Sequence, residues 1–193
     1  MLPGWYNIDR SPSLLVARIP GARPALQRLG FMRSDALEWD RSIHRNDVRR
    51  GLPFPNGSVS VIYSSHTLEH LFLDEAQRVL HECRRVLRKD GLLRLALPDA
   101  EAAARDLLLG GSAVEFTRFL NMQPMTQPSL RRRAIDALLA RPHRWQPTPG
   151  LVRSMLVKAG FSTIVDRDFR EGDMPELFDL ETRKDSLFVE ANP

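Results

Sequence analysis

The chain has 193 residues and a mass of 22.0 kDa, enough for one domain with a real core and too little for two ordinary ones. Hydrophobic residues make up 42% and charged residues 27%, which excludes a disordered or low-complexity chain, and the net charge of +4 is too small for a nucleic-acid footprint. No apolar run reaches the roughly 20 residues of a membrane helix; the N-terminus lacks a signal-peptide pattern; and Cys83, the single cysteine, excludes an internal disulfide.

Turn residues cut the chain into segments. Trp5 to Ile8 is β-prone and ends at Asp9. Ser13 to Leu29 is apolar but contains Pro20, Gly21 and Pro24, so any helix there is broken. Ile43 to Val48 reads as a short strand, and residues 50–57 as a turn-rich loop. Ser58 to Tyr63 is a β-branched strand. Asp74 to Arg88 carries Ala76, Val79, Leu80, Cys83, Val86 and Leu87 at the spacing of one buried helix face. Asp74 and Gln77 suit its first turn as a capping box, and Gly91 suits a left-handed turn at its end. Leu92 to Leu97 is a nearly continuous apolar strand, the mark of a strand covered on both faces. Strand, helix, turn and strand together predict a βαβ unit and a parallel sheet.

Ala100 to Leu109, Ala113 to Leu120 and Ser129 to Ala140 read as helices, the last with Arg131, Arg132 and Arg133 on its exposed face. Prolines then mark a loop around His143 and Trp145. Thr148-Pro149 starts a helix whose apolar face is Leu151, Val152, Met155, Leu156 and Ala159, closed by Gly160. Phe161 to Phe169 and Ser186 to Ala191 predict an antiparallel pair at one edge of the sheet. The expected fold class is α/β: a Rossmann-like, mainly parallel sheet with helices on both faces and an antiparallel C-terminal edge strand.

Ligands of open α/β sheets bind beyond the C-terminal strand ends. Those ends are Asp9, then Asn46-Asp47-Val48, then Ser64-Ser65-His66, then Pro98-Asp99. Asp9 there suits either a ribose diol or a turn, Asp47 an adenine amino group or a turn, and Asp99 a helix cap. His66-Thr67-Leu68-Glu69-His70 matches H-x-x-E-H, a zinc pattern when both histidines lie one turn apart on a helix. Directly after a strand and without a clear distant third ligand, it reads instead as a strand-to-helix turn whose histidines pack or hydrogen-bond locally.

In chain order, Asn46-Asp47-Val48, Leu52-Pro53-Phe54-Pro55-Asn56-Gly57-Ser58, Val61 to Leu71 with its His66-Thr67-Leu68-Glu69-His70 core, Val79-Leu80 to Arg88, and Gly91 to Asp99 resemble the class I S-adenosylmethionine-dependent methyltransferases of the type 11 group. Leu2 to Asp9 is similar to that group's second strand with its ribose-binding acid, and Ala159-Gly160-Phe161 to the turn before its sixth strand. The resemblance implies S-adenosylmethionine as cofactor: Asp9 on the ribose hydroxyls, Asp47 on the adenine amino group, Val48 against the ring, and Ser64, Ser65 and His66 at the methionine end. It makes His66 and His70 the candidates to orient an acceptor or take its proton, and residues 110–149 a helical cover on the acceptor side. The family's first strand and Gly-rich loop, which lets backbone approach the methionine part, lie before the stretch matched by Leu2 to Asp9. This chain starts at Met1 without them, so the expectation is either a start further upstream or a degenerate member.

The function expected is methyl transfer to a small-molecule or glycan acceptor by a single cytoplasmic domain, impaired if the Gly-rich loop is truly missing. No nucleic-acid, membrane or metal partner is expected, and an exposed sheet edge leaves room for a homodimer. Two other readings stand beside it. One is a non-catalytic methyltransferase-like scaffold that binds a partner. The other is a zinc hydrolase built on His66, Glu69 and His70.

Overall fold

The computed structural model describes residues 4–10, 43–121 and 142–193, with positions 14, 19, 21, 24, 25 and 28 between the first two stretches. The predicted helix Ser129 to Ala140 and most of Ser13 to Leu29 lie outside the described residues. The chain forms two compact units, Met1–Arg50 with Pro128–Ala140, and Gly51–Gln127 with Arg141–Pro193. In the first, β1 (Ile8–Asp9) pairs parallel with β2 (His44–Arg45). The strand expected to run from Ile43 to Val48 is thus two residues long; residues from Val48 turn into a 3₁₀ segment, Val48–Arg50.

The second unit holds a four-stranded sheet of β3 (Val59–Ser65), β4 (Leu87–Pro98), β5 (Thr163–Arg167) and β6 (Ser186–Asn192), in the order β3-β4-β6-β5. β3 and β4 are parallel, and β6 runs antiparallel to both β4 and β5. The C-terminal strand therefore lies inside the sheet and β5 forms the edge. Among the described residues, helices α1 (Leu73–Val86), α2 (Ala100–Leu108), α3 (Ala113–Leu120), α4 (Pro149–Ala159) and the single-turn α5 (Leu177–Leu180) join the sheet in this unit.

The βαβ unit forms where hydrophobic periodicity placed it, but its joints differ. The N-cap of α1 is Phe72, not Asp74, and the Glu75 carboxylate accepts its backbone N–H at 3.0 Å. Gly91 does not adopt a left-handed turn. The helix passes straight into β4 at Leu87, which pairs with Val59, while Leu92 pairs with Val61, so residues 88–91 are out of register. Gly91 is needed there for close approach: a Cβ would lie 3.0 Å from the Arg88 carbonyl and from Leu87. The loop before β3 is clamped by α1. Arg85 donates to the carbonyls of Phe54 and Leu52 and to Asn56 Oδ1, and Glu82 accepts from Leu52 N at 3.1 Å. The Arg85 hydrogen bond holds the Glu82 carboxyl below its usual range.

The core lies where α1 and α4 meet and on β4 and β6. Ala76, Val79, Leu80, Cys83 and Val86 of α1 are buried with Val152, Met155, Leu156 and Ala159 of α4. Each fully buried Leu, Val or Met contributes about 1.5–3 kcal/mol. Thr148 caps α4 by accepting Leu151 N, Pro149 opens it, and Gly160 ends it with φ 92°, as the sequence predicts. Burial pushes the Cys83 thiol up to about 12. The folded protein at pH 8 is therefore expected to leave Cys83 unlabelled by iodoacetamide, and urea-unfolded protein to label fully. Rapid labelling of the folded chain would place Cys83 outside the core.

Candidate functional site

The predicted site residues divide between the two units. Asp9, Asp47 and Val48 belong to the first; Ser64, Ser65, His66 and His70 belong to the second. In the first unit, β1 and β2 end side by side, and the Asp9 carbonyl accepts Asn46 N at 3.2 Å. Asp47 is already engaged: Arg10 reaches it at 3.0 Å and Arg49 at 2.7 and 2.9 Å. Val48 opens the 3₁₀ turn. Tyr6 stacks on His44, 3.8 Å between ring centres and 8° between planes, a flat aromatic pair that the sequence alone did not disclose.

In the second unit, β3 ends at Ser65, and His66 follows with φ 46°. That left-handed backbone is costly for a side chain as large as His. The His66 N–H donates to the Ala96 carbonyl at 2.9 Å, which holds the turn against β4. The next residues form a 3₁₀ turn, Leu68–His70, rather than the α-helix the zinc-hydrolase pattern requires. Glu69 is completely buried in it.

The His66 ring is bracketed. Nδ1 lies 3.2 Å from Glu69 Oε1, and Nε2 lies 3.1 Å from Ser186 Oγ. A carboxylate only accepts, so the neutral tautomer that suits this side is the one with its proton on Nδ1 and its Nε2 lone pair toward Ser186. His66 and Ser186 line an open cleft of about 640 Å³, together with Phe119, Asn121 and His143. Arg118, Arg183 and Lys184 put cations on its wall, against Asp185. Ser64, Ser65 and His70 do not line it. Ser65 instead accepts Thr67 Oγ1 through its carbonyl.

His70 is tied down elsewhere. Its Nδ1 donates to the Pro142 carbonyl at 3.3 Å, and its Nε2 faces Glu69 Oε1 at 3.9 Å. The loop from Pro142 docks further through Arg144 N on the Glu69 carbonyl at 2.7 Å and Trp145 Nε1 on the Leu68 carbonyl at 3.1 Å. This brings His143 edge-on to His70, 5.2 Å between ring centres. Burial pushes the His143 imidazole below its usual range, with the Glu69 charge opposing. Sequence reasoning noted the proline-bounded loop and the strand beginning at Ser186, but no local spacing linked either to His66. Asp99 caps α2, accepting from Glu101 N and Ala102 N.

Comparison with known proteins finds similarity to methyltransferases. A family described as "Methyltransferase domain" matches residues 6–95, which include β1 to β3, most of β4, and both His66 and His70. Among solved structures, a Pyrococcus horikoshii protein is 17% identical with a TM-score of 0.51, over 98% of this chain and 72% of its own. An S-adenosylmethionine-dependent methyltransferase from Mesorhizobium loti is 20% identical with a TM-score of 0.49, over 96% of this chain and 78% of its own. A putative O-methyltransferase from Nostoc punctiforme is 14% identical with a TM-score of 0.44, over 79% of this chain and only 37% of its own. No curated protein matches the chain. Among the described residues, no helix is long and apolar enough to cross a membrane. The methyltransferase-domain match covers residues 6–95, just under half of the chain, and agrees with the mixed α/β fold and with the ordered motifs around His66.

Proposed function

We propose that the chain transfers the methyl group of S-adenosylmethionine to a hydroxyl of a small-molecule or glycan acceptor. The observation that carries this reading is the bracketed imidazole. His66 stands at the end of β3, its Nδ1 beside a buried carboxylate and its Nε2 in the cleft. With its proton on Nδ1, on the carboxylate side, the ring turns its basic Nε2 toward the acceptor. The sulfonium is itself a good leaving group, so the protein's task is alignment of the acceptor oxygen and removal of its proton. A cleft of about 640 Å³ is the size of a small-molecule site.

For the cofactor, the acid at the end of β1, Asp9, is the residue we propose for the ribose hydroxyls. Asp47 serves the adenine amino group only while sharing its carboxylate with Arg10 and Arg49. Asp9→Ala is expected to weaken binding by about 1.5–3 kcal/mol, the value of a charge-assisted hydrogen bond. Isothermal titration with S-adenosylhomocysteine checks this, and an unchanged dissociation constant removes Asp9 from the site. The reaction itself is tested by incubating the chain with S-adenosylmethionine and hydroxylated acceptors, and following S-adenosylhomocysteine release. Acceptor-dependent release supports the reading. A chain that binds cofactor but never turns over favours a binding scaffold.

A further inference from the structure

The turn from Leu68 to His70 and the loop that docks on it place three metal-type ligands together. One donor atom from each of Glu69, His70 and His143 lies within 4.8 Å of the other two. We propose that these three residues form a binding site for a zinc-class divalent cation. Methyl transfer does not require it, and the proposal does not depend on that activity.

Four observations carry it. First, Glu69 has no exposed surface, and neither of its carboxylate oxygens accepts a formed hydrogen bond. His66 approaches only Oε1, so a whole oxygen of a buried carboxylate is left without a cationic partner. A charge buried in that state is costly unless a cation joins it. Second, the His70 Nδ1 proton is committed to the Pro142 carbonyl. The neutral ring then turns its Nε2 lone pair toward the carboxylate at 3.9 Å, so two acceptors face each other across a gap. A backbone carbonyl on the far nitrogen is also the usual way a metal-binding histidine is oriented. Third, His143 Nδ1 is buried without a hydrogen bond.

Fourth, the two ligand-bearing segments are already fastened by hydrogen bonds. Arg144 N, Trp145 Nε1 and the Pro142 carbonyl all bind the Leu68–His70 turn. The site is therefore built before a cation arrives. Two imidazole nitrogens and one carboxylate form a donor set suited to zinc, with one position left for water. Ligand atoms at zinc distances stand about 3.3 Å apart in a tetrahedron. Side-chain rotations that draw the donors in by roughly 1 Å suffice. His66 takes no part as a ligand, so this is a different set from the His66, Glu69 and His70 of the sequence pattern.

The test is zinc uptake by the whole chain, read without any activity. Protein stripped with EDTA is dialysed against zinc sulfate, and bound metal is measured by elemental analysis. Uptake of one zinc per chain is expected, with a melting temperature raised by about 5–10 °C at zinc a hundredfold above its dissociation constant. Cobalt in place of zinc is expected to give visible tetrahedral absorption. His143→Ala and His70→Ala should abolish uptake and the melting shift, while His81→Ala, on the exposed side of α1, should keep both. His143→Ala carries the decision, because its ring is not needed for the hydrogen bonds that dock the loop. Folded chain that takes up no zinc overturns the proposal, and so does unchanged uptake by folded His143→Ala.

Discussion

Replacing Arg94 by alanine is expected to lower the unfolding free energy by about 3–5 kcal/mol, against a usual total of about 5–15. Arg94 sits in the middle of β4 with no exposed surface. Its guanidinium meets Glu181 at 2.7 and 2.8 Å and Glu190 at 3.4 Å, and both carboxylates are buried. Its remaining donors go to the carbonyls of Glu171 and Asp168, which pins the loop between β5 and α5 against the sheet. Deleting Arg94 leaves Glu181 with the Arg170 backbone N–H alone, an uncompensated buried charge. Glu190 suffers less, because Arg167 and the backbone N–H groups of Asp173 and Met174 still reach it. Gly172 makes that cradle possible: a Cβ there would come within 2.4 Å of Glu190 Oε1. Urea unfolding measures the loss. Arg94→Met with Glu181→Leu should cost less than the two single changes added together, since the double variant strands no charge. Additive costs would mean that the pair is not coupled.

His66→Asn is expected to lower kcat by about 10²–10⁴, or roughly 2.7–5.5 kcal/mol of transition-state stabilisation. Asparagine is chosen because it tolerates the left-handed backbone at φ 46°, where alanine would confuse lost chemistry with a rebuilt turn. The variant should melt near the parent temperature and fail in turnover of a hydroxyl acceptor. Single-turnover release of S-adenosylhomocysteine separates that step from cofactor binding. Undiminished kcat would leave the imidazole a packing role and make alignment alone responsible for the rate.

Much of the second unit is legible because its signals are local. The helical spacing of Ala76 to Val86, the β-branched run before Ser64 and the Thr148-Pro149 start each act within a few residues. The joints are less legible. Gly91 suggests a left-handed cap, yet the pairing of Leu87 with Val59 draws the chain directly into a strand, and Gly91 serves close packing instead. The buried ion cluster is invisible locally. Arg94 interrupts an apolar strand, and its partners lie 87 and 96 residues away. The site divides in the same way. His66, Glu69 and His70 stand out together in the sequence, whereas Ser186 and His143 join them only through the placement of β6 and the docking of a proline-bounded loop. Asp47 is recognisable as a strand-end acid, but Arg10, 37 residues before it, takes part of its carboxylate.

Cofactor binding is tested most directly by titrating S-adenosylhomocysteine into the purified chain, with heat and melting temperature followed together. Saturable micromolar binding is expected, with a melting temperature that rises with ligand concentration, as linkage requires. A cooperatively folded chain that gives neither heat nor a shift would contradict it.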